Sequence, residues 1–297
     1  MQSKSFYIIK FSFYILIFLF VFSCTKITPL SDESLNNEED WSNINTPDSV
    51  VFFDIMTWNI EQFPKHQTTN TKVISIIDSL MPQIIALQEI RSESDFQEII
   101  SNNLHYDGMR SSSAYANLNL AFLWDTNYVK NVNIYEILTS QSYLLPRSPL
   151  VMECQVNYKD FVIINNHLKC CNDGFERRKD AVILLKNYLD NYYNNKRVIL
   201  LGDLNDNLND PDNLNVFLPF LNDRDSYIFV DEFFEVQDYS FPSYPSHIDH
   251  ILISNELYSL YNSQYTEAYT IKLVETITYY QNQVSDHLPV YLKLVFE

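Results

Sequence analysis

Glycine and cysteine are scarce in this chain, which has three glycines and four cysteines in 297 residues. No G-x-S-x-G sequence is present, and its absence excludes the strand-to-helix elbow that carries the nucleophile of many serine hydrolases. The cysteines, Cys24, Cys154, Cys170 and Cys171, form no C-x-x-C pair, which argues against a structural zinc site. The adjacent Cys170 and Cys171 are either two free thiols or a strained vicinal disulfide.

Basic residues are also few, since 20 lysines and arginines stand against 38 aspartates and glutamates, and the formal net charge is −18. Such a charge repels nucleic-acid phosphates at long range and argues against tight, non-specific DNA binding. It does not exclude a nuclease, because metal ions and a local basic patch can offset the field.

The longest apolar run lies near the N-terminus, at residues 11–22, after Lys4 and Lys10. A basic segment, a short apolar core and a small residue before Cys24 resemble a bacterial lipoprotein signal. We therefore predict that residues 1–23 are removed and that Cys24 is acylated. The alternatives are an ordinary signal peptide that is cut nearby and an uncleaved anchor, although the run is short for a mature membrane span.

The rest of the chain divides into a tether and one folded domain. Residues 24–50 are rich in polar residues and proline, which predicts a flexible tether. Residues 51–297 have the length of one large domain. Short strands alternate with helices in the first part of this domain, and strands predominate in the later part. This order predicts an α/β sandwich of two packed sheets with outer helices. The Tyr-rich segment 261–280 is either a half-buried antiparallel strand pair or an aromatic binding surface. Strands are predicted at 51–58, 84–88, 118–124, 132–137, 150–156, 161–165, 198–201, 248–253 and 288–296, and helices at 71–80, 95–102 and 175–193.

Many of the predicted strands border a cluster of Asn, Asp, Glu or His side chains. Strand ends at one edge of a sheet are natural places for such side chains to converge on a site. A hard divalent cation binds carboxylate and amide oxygens, and histidine suits the activation of an attacking water. Asn donors and a metal ion stabilise charge on phosphoryl oxygens, so these residue types fit phosphodiester hydrolysis. The clusters are Trp58-Asn59, Gln88-Glu89, Asn166-His167, Gly202-Asp203-Leu204-Asn205, Ile248-Asp249-His250 and Ser285-Asp286-His287.

Five of these segments resemble the motifs of the endonuclease/exonuclease/phosphatase family, in the family's order. The family includes pancreatic-type deoxyribonucleases, abasic-site repair enzymes, neutral sphingomyelinases and inositol polyphosphate phosphatases. The resemblance covers residues 58–290 and implies a four-layered α/β sandwich, in which two packed, mostly antiparallel β-sheets are flanked by helices. The matching segments are Thr57-Trp58-Asn59-Ile60, Leu87-Gln88-Glu89, Gly202-Asp203-Leu204-Asn205, Ile248-Asp249-His250-Ile251 and Ser285-Asp286-His287-Leu288-Pro289-Val290.

The resemblance implies a Mg²⁺ or Mn²⁺ site and a histidine base. Glu89 resembles the principal metal ligand, with Asn59 beside it. Asp286 resembles a position that helps to hold metal in parts of the family. His287 resembles the base that activates water, and Asp249 resembles the partner that orients its ring and stabilises the imidazolium.

The resemblance also implies contacts to the phosphate of the substrate. Asp203 and Asn205 resemble the pair that contacts the scissile phosphate or the attacking water. His167 resembles a second histidine that donates to phosphate or acts as general acid. Arg147 resembles the arginine that braces the domain near the substrate. Arg91, two residues beyond the metal-binding glutamate, is expected to contact a phosphate.

The chain departs from the family at the partner of the second histidine. In the deoxyribonuclease branch an acid on a preceding strand orients that histidine, whereas the best match here is Leu118, between Asn117 and Asn119. His167 is therefore expected to act as an acid without that support, or only to bind phosphate. Lys169 ends an N-N-H-L-K run similar to that of secreted nucleases in the family and adds a cation for a polyanionic substrate.

The remaining histidines are given structural roles. His66 and His105 are predicted to be surface or hydrogen-bonded residues. His247 lies beside the I-D-x-I motif but outside it and is predicted to be structural. His250 fills the variable position of that motif and is predicted at most to support the site from behind.

The lead hypothesis is a lipid-anchored, divalent-metal-dependent phosphodiesterase of the nuclease type. It would be a monomer on the bacterial cell envelope, in the periplasm or on the outer surface, with nucleic acid and the membrane as partners. The alternatives are a sphingomyelinase-like enzyme, which the acidic charge and the anchor favour, and an inositol or sugar phosphate phosphatase. A non-catalytic binding lipoprotein predicts a broken site, whereas Glu89, Asp203, Asn205, Asp249 and His287 are all present.

Overall fold

The computed structural model describes residues 51–296, so the predicted signal 1–23, the acylation site Cys24 and the tether 24–50 lie outside the described residues. This described part contains twelve strands and seven α-helices, besides short 3₁₀ turns. None of its helices is long and apolar enough to cross a lipid bilayer. The strands are β1 Val51–Phe63, β2 Ile84–Ile90, β3 Tyr106–Arg110, β4 Asn119–Asp125, β5 Val129–Glu136, β6 Leu150–Val156, β7 Lys159–His167, β8 Val198–Asp203, β9 Tyr227–Phe229, β10 Asp249–Ser254, β11 Glu267–Thr270 and β12 Val290–Phe296. The helices are α1 Thr69–Leu80, α2 Glu93–Asn102, α3 Phe175–Tyr192, α4 Leu218–Leu221, α5 Tyr258–Tyr261, α6 Leu273–Thr276 and α7 Tyr280–Gln283.

The strands form two six-stranded sheets. The first has the order β11-β12-β1-β2-β4-β3, and the second has the order β5-β6-β7-β8-β10-β9. Each sheet has one parallel pair among the described strands, β1 with β2 and β7 with β8, and the other pairs are antiparallel. The predicted pair of mostly antiparallel sheets is confirmed.

The two sheets pack face to face because large apolar side chains alternate along their strands and point into the interface. In β1 these side chains include Phe53 and Ile55, and in β7 they include Phe161 and Ile163, all of them buried. The rings of Phe53 and Phe161 lie 4.9 Å apart across the interface. The main core of the domain therefore lies between the sheets.

Helices cover the outer face of each sheet and complete the four layers. In α1, Ile77 belongs to a buried cluster with Met56, which points outward from the first sheet. In α3, Leu185 is buried with Ile164 on the outer side of the second sheet. The helical spacing of apolar residues that predicted both helices therefore reflects their burial against a sheet.

Two strands, β3 and β9, and four one-turn α-helices were not predicted from the sequence, and β11 lies in a segment for which a strand pair or an aromatic surface was predicted. The strands β3, β9 and β11 all lie at sheet edges, where short and partly exposed segments carry no clear alternation. The predicted antiparallel pair in segment 261–280 is wrong. That segment contains one strand, β11, which pairs with β12, and α6 follows it.

A row of polar side chains crosses the interface between the sheets just inside the strand ends. Gln88 of β2 donates to Thr57 Oγ1 at 3.0 Å and to Asn165 Oδ1 at 2.8 Å. Asn165 of β7 donates to the backbone carbonyls of Leu87 and Ala121, at 2.9 and 3.0 Å. Because Asn165 belongs to the second sheet and its partners belong to the first, these hydrogen bonds join the two sheets.

We expect Asn165→Leu to lower the free energy of unfolding by roughly 2–4 kcal/mol, because it leaves two buried carbonyls and the Gln88 amide without their partners. Thr57→Val is the matched control, since it removes one acceptor and keeps the bonds between the sheets. Its expected loss is about 1 kcal/mol. Urea unfolding of the full chain, followed by circular dichroism, measures both values. Equal losses in the two variants would contradict a special role for Asn165.

Candidate active site

The strand order brings the polar clusters of the second sheet to one edge of the sandwich. β7 and β8 run parallel and end side by side, and β10, which is antiparallel to β8, begins there. His167 is paired in register with Asp203, and Asp203 is paired with Asp249. The three side chains lie on the same face as Leu201, which belongs to the core between the sheets. They therefore form the end of the inter-sheet layer.

Gly202 allows β7 and β8 to approach each other closely at this point. Its φ is 141°, and a Cβ at this position would lie 1.9 Å from the carbonyl oxygen of Asn166. Only glycine fits such a position, because any other residue would collide with backbone. A larger residue would therefore move Asp203 away from His167.

Asp203 lies where the side chains of both sheets converge. Its Oδ2 accepts a hydrogen bond from Asn59 Nδ2 at 2.9 Å. The same oxygen lies 3.4 Å from His167 Nε2 and 3.7 Å from His287 Nε2. Its Oδ1 accepts from the backbone N–H of Asn205 at 3.1 Å. Burial raises the pKa of Asp203 above its usual value, and the positive charge of His287 only partly opposes this rise.

His287 and Asp249 form the hydrogen bond that a base and its orienting partner require. His287 Nδ1 lies 2.8 Å from Asp249 Oδ2, so Nε2 is the nitrogen that faces Asp203. Burial alone lowers the pKa of His287, but the negative charges of Asp249 and Asp203 outweigh it and raise this pKa to about 10. These two carboxylates therefore favour the positively charged form of the imidazole.

Residues that the sequence analysis missed hold His287 in place. Tyr280 donates its hydroxyl to the carbonyl oxygen of His287 at 2.6 Å, and Trp58 Nε1 donates to the Tyr280 hydroxyl at 3.0 Å. The ring of Phe241 lies 5.0 Å from the ring of His287. No motif marks Tyr280 or Phe241, because each comes from a loop or one-turn helix that meets His287 only in the folded chain.

Glu89 reaches the site through an irregularity in the sheet. Strict alternation along β2 points Gln88, not Glu89, between the sheets. However, Glu89 has a left-handed φ of 65°, and the pairing of β1 with β2 shifts register next to it. Its Oε1 lies 3.9 Å from His167 Nε2, and its Oε2 accepts from the backbone N–H of Gln62 at 2.9 Å. The backbone conformation thus turns this carboxylate toward the site.

Asp286 lies against a second acid that the sequence analysis missed, Glu61. The backbone N–H of Asp286 donates to Glu61 Oε2 at 2.9 Å, and Lys65 forms an ion pair with the same oxygen. Asp286 Oδ1 lies 3.9 Å from His287 Nε2. Burial raises the pKa of Asp286; His287 opposes this rise, and Glu61 adds to it. Glu61 follows Asn59 by two residues, and that spacing along β1 was the available signal.

Glu89, Asp286 and Asn59 offer oxygen donors to a divalent cation, and such donors suit Mg²⁺ or Mn²⁺. Asn59 Oδ1 accepts from the backbone N–H of Glu61 at 2.9 Å, which leaves one lone pair for a cation. A further candidate group is formed by the ligand atoms of Asp203, Asp249 and His287, which lie within 4.8 Å of one another. The oxygen chemistry of these residues therefore suits the metal that the sequence implies, and among the described residues of the site it is the ligand atoms of Asp203, Asp249 and His287 that lie together.

His167 is buried at the end of β7. Its Nε2 faces the carboxylate of Asp203, so Nε2 carries the proton, and Nδ1 has no hydrogen-bond partner among the described residues. Burial holds the pKa of His167 well below its usual value, and the positive charges of Arg147 and His287 add to this effect. The sequence has no acid at Leu118 that could orient His167, and the described residues likewise place no acid in hydrogen-bonding contact with its Nδ1.

Two of the three cationic side chains that were predicted to bind substrate, Arg147, Arg91 and Lys169, lie beside the site. Burial lowers the pKa of Arg147, and the negative charges of Glu89 and Asp203 partly offset this effect, so its guanidinium is near both. Arg91 is exposed, and its Nη1 donates to Gln62 Oε1 at 2.9 Å. Arg91 is therefore open to an anionic substrate that approaches Glu89. Arg147 is half-buried, and its Nη1 donates to the carbonyl oxygen of Leu168 at 3.5 Å, so it adds positive charge beside the site.

The third predicted cation, Lys169, contacts acceptors in its own loop. Its Nζ donates to the carbonyl oxygen of Cys170 at 2.9 Å and lies 3.4 Å from Asp173 Oδ1. The structure therefore does not bring this charge into the site. In the same loop, Cys170 and Cys171 are free thiols whose sulfurs lie 2.8 Å apart.

Known proteins resemble this chain over most of the described residues. A family model described as "Endonuclease/Exonuclease/phosphatase family" matches residues 56–287. A structure of D. rerio TDP2 complexed with single strand DNA product is 14% identical, covers 82% of this chain and 98% of its own, and has a TM-score of 0.64. The human Nocturnin catalytic domain with bound sulfate anion is 17% identical, covers 84% of this chain and 97% of its own, and has a TM-score of 0.62. The endonuclease/exonuclease/phosphatase from Bacteroides vulgatus is 13% identical, covers 83% of this chain and 100% of its own, and has a TM-score of 0.60. At these identities the structural likeness is one of fold. Comparison with curated proteins finds no match.

Proposed function

Because the chain belongs to the endonuclease/exonuclease/phosphatase family, whose members hydrolyse phosphodiester bonds, we propose that it is a divalent-metal-dependent phosphodiesterase that acts on nucleic acid. The observation that carries this proposal is the hydrogen bond of 2.8 Å between His287 Nδ1 and Asp249 Oδ2. It fixes the ring and leaves Nε2 to exchange a proton with a water molecule. Asp203, 3.7 Å from Nε2, marks where that water and the phosphate would meet.

In the proposed reaction, His287 Nε2 takes a proton from water while the water oxygen bonds to phosphorus and the bond to the leaving oxygen breaks. Asp249 stabilises the imidazolium that forms. His167 donates its Nε2–H to a phosphate oxygen; the leaving oxygen takes its proton from bulk water, because a neutral imidazole is a poor acid. When bound at Glu89 and Asp286, a divalent cation supplies positive charge that stabilises the phosphoryl oxygens.

The charged state of His287 makes this activity conditional. The carboxylates of Asp249 and Asp203 raise the pKa of His287 to about 10, which favours the form that already holds the proton. Positive charge held at these carboxylates would favour the free base instead.

Nucleic acid is the proposed substrate because two arginines, Arg147 and Arg91, border an otherwise acidic site, and guanidinium groups bind phosphate well. The D. rerio TDP2 of similar fold, which is complexed with a single strand DNA product, supports the same choice. The strongly negative charge of the chain predicts that such binding is local and weak outside the site.

A lipid phosphodiester is the second candidate, and one observation favours it. The segment between β9 and β10, whose Phe241 packs on His287, exposes three large side chains. Phe233 is 83% exposed, Val236 is 86% exposed and Tyr244 is 77% exposed. A segment that packs on His287 through one aromatic ring and exposes other large apolar side chains is suited to contact a membrane surface.

The location proposed for the protein is the bacterial cell envelope, through acylation of Cys24. Its support is the sequence alone, namely the basic segment, the apolar run at 11–22 and the small residue before the cysteine. Mass spectrometry of the mature N-terminus tests it. A mature chain that begins elsewhere and carries no lipid would contradict it.

The experiment that tests the proposed function treats the full chain, purified in detergent, with Mg²⁺ or EDTA. Plasmid DNA, single-stranded DNA, single-stranded RNA and sphingomyelin vesicles are offered in parallel. We expect cleavage of nucleic acid that Mg²⁺ supports and EDTA abolishes. Release of phosphocholine without nucleic-acid cleavage would instead assign the lipid substrate, and inactivity on all four would overturn both candidates.

A further inference from the structure

Two loops beside the candidate active site contain no acidic residue, although the chain has 38 aspartates and glutamates. Residues 111–118 join β3 to β4, residues 137–149 join β5 to β6, and together they are called the rim loops. Both lie at the edge of the sandwich that carries the site, because the strands that follow them begin opposite the ends of β2 and β7. The backbone N–H of Tyr115 donates to the carbonyl oxygen of Pro146 at 2.9 Å and joins the two loops. In this acidic chain, the rim loops add no negative charge that would repel a polyanion.

The second rim loop presents an aromatic ring that an arginine holds from one side. Tyr143 is 72% exposed. The guanidinium of Arg177, in the first turn of α3, lies 4.6 Å from the centre of the Tyr143 ring and also donates to the carbonyl oxygen of Tyr143. A cation placed over a ring face is attracted to it, so this contact orients the ring. Because Tyr143 remains so exposed, the other face of the ring is open to a ligand.

Two arginines connect this ring to the site. Burial is the main cause that lowers the pKa of Arg147; the positive charge of Arg177 lowers it further, and the negative charges of Glu89 and Asp203 oppose the change. Arg147 therefore lies near both Arg177 and the acids of the site. Both guanidinium groups donate to backbone carbonyls, which are neutral. Two neighbouring guanidinium groups with neutral partners favour the binding of phosphate. Other arginines pair directly with acids, among them Arg110, Arg178 and Arg224.

The composition of the rim loops favours nucleic acid over a membrane as the partner. Apart from Tyr115 and Tyr143, their exposed residues are mostly polar, such as Ser112, Ser140 and Gln141. A surface that enters a membrane needs several large apolar side chains next to one another. Isolated tyrosines among small polar residues and arginines are instead suited to stack on the bases of a nucleic acid.

We propose that Tyr143 and Arg177 form a subsite for an unpaired base of a single-stranded nucleic acid. The base stacks on the open face of the Tyr143 ring, and the phosphates beside it are attracted by Arg177 and Arg147. This inference rests on the proposed function and narrows its substrate to strands with unpaired bases. Every base offers a flat face, so the subsite accepts any of them. The bases of a duplex stack on one another, and their faces are therefore closed to Tyr143.

The test compares cleavage of a single-stranded oligonucleotide with cleavage of its duplex by the full chain in detergent with Mg²⁺. Tyr143→Ala is expected to lower kcat/KM for the single strand by roughly 5- to 100-fold, the range measured when a stacking ring is removed. The loss should appear in KM, because the ring touches a base and not the reacting atoms. The value for the duplex should stay unchanged. Tyr143→Phe is expected to match the wild type, since stacking needs the ring and not the hydroxyl.

The matched control is Tyr158→Ala, which removes a tyrosine that is 92% exposed in the turn between β6 and β7. That turn lies at the opposite edge of the sandwich, where β7 begins, so wild-type values are expected for both substrates. Equal kcat/KM for the single strand in Tyr143→Ala and Tyr158→Ala would overturn the proposal. An equal loss on single strand and duplex would overturn it as well, because the subsite would then not distinguish unpaired bases.

Binding gives a reading that does not depend on turnover. In His287→Gln with Mg²⁺, the Kd of a fluorescent oligothymidine, measured by anisotropy, is expected to rise by the same factor when Tyr143→Ala is added. If Tyr143→Ala weakens binding to phosphatidylglycerol vesicles and leaves the oligothymidine unaffected, the surface contacts a membrane and the proposal is wrong. Wild-type inactivity on every nucleic acid would overturn the proposed function itself, whereas wild-type cleavage that Tyr143→Ala leaves unchanged would overturn this subsite alone.

Discussion

His287→Gln is expected to lower kcat for Mg²⁺-dependent cleavage by about 10²–10⁴-fold, because glutamine cannot take a proton from water. The amide keeps a polar group near Asp249, so the fold and the binding of substrate should change little. Initial rates on single-stranded and plasmid DNA, over a range of substrate concentrations, separate kcat from KM. A large rise in KM with kcat unchanged would mean that His287 only binds the substrate.

The matched control for this variant is His105→Gln, the same replacement at an exposed histidine that lies between α2 and β3. It is expected to keep wild-type rates. The thermal unfolding temperature of both variants in EDTA is a further check, because a fall in His287→Gln alone would point to structural damage instead of a lost base.

Glu89→Gln is expected to raise the Mg²⁺ concentration needed for half-maximal activity by at least ~10–100-fold. Glutamine keeps the shape of the side chain and an acceptor for the N–H of Gln62, but it removes the negative charge that attracts the cation. The measurement is the rate of cleavage as a function of Mg²⁺ concentration. Higher Mg²⁺ should restore part of the lost activity.

Glu267→Gln serves as the control, because Glu267 is an exposed residue of β11 whose side chain pairs with Lys293. Its Mg²⁺ requirement is expected to equal that of the wild type. If Glu89→Gln also keeps the wild-type requirement, then Glu89 is not a metal ligand. The candidate group of Asp203, Asp249 and His287 would then be the alternative metal site.

Much of this architecture could be predicted from local patterns, and the reasons are physical. Strands such as β8 bury both faces, so they appear in the sequence as apolar runs that end in a polar cluster. Parallel neighbouring strands end at the same edge of a sheet. The proximity of His167 and Asp203 could therefore be predicted without knowing the rest of the fold. Helix α3 was predictable because one of its faces is buried along its length.

Other features depend on contacts between distant segments and leave no local pattern. Glu89 reaches the site only because its backbone is left-handed, whereas simple alternation would point Gln88 there instead. The position of Phe241 depends on a loop that folds back over His287. Lys169 has the spacing of a substrate-binding residue, yet neighbouring acceptors in its own loop hold its charge. Sequence spacing identifies candidates of this kind but does not orient them.

The hydrogen bonds of Asn165 have a mechanical consequence for the site. Glu89 and Asn59 belong to the first sheet, whereas His167 and Asp203 belong to the second, so the site straddles a seam. Apolar packing between the sheets consists of many weak contacts without a required direction, whereas a hydrogen bond is weakened when its angle changes. The bonds that Asn165 makes across the sheets are directional and resist such shear. A relative displacement of the sheets would separate the two halves of the site, and Asn165, together with the bond from Asn59 to Asp203, opposes it.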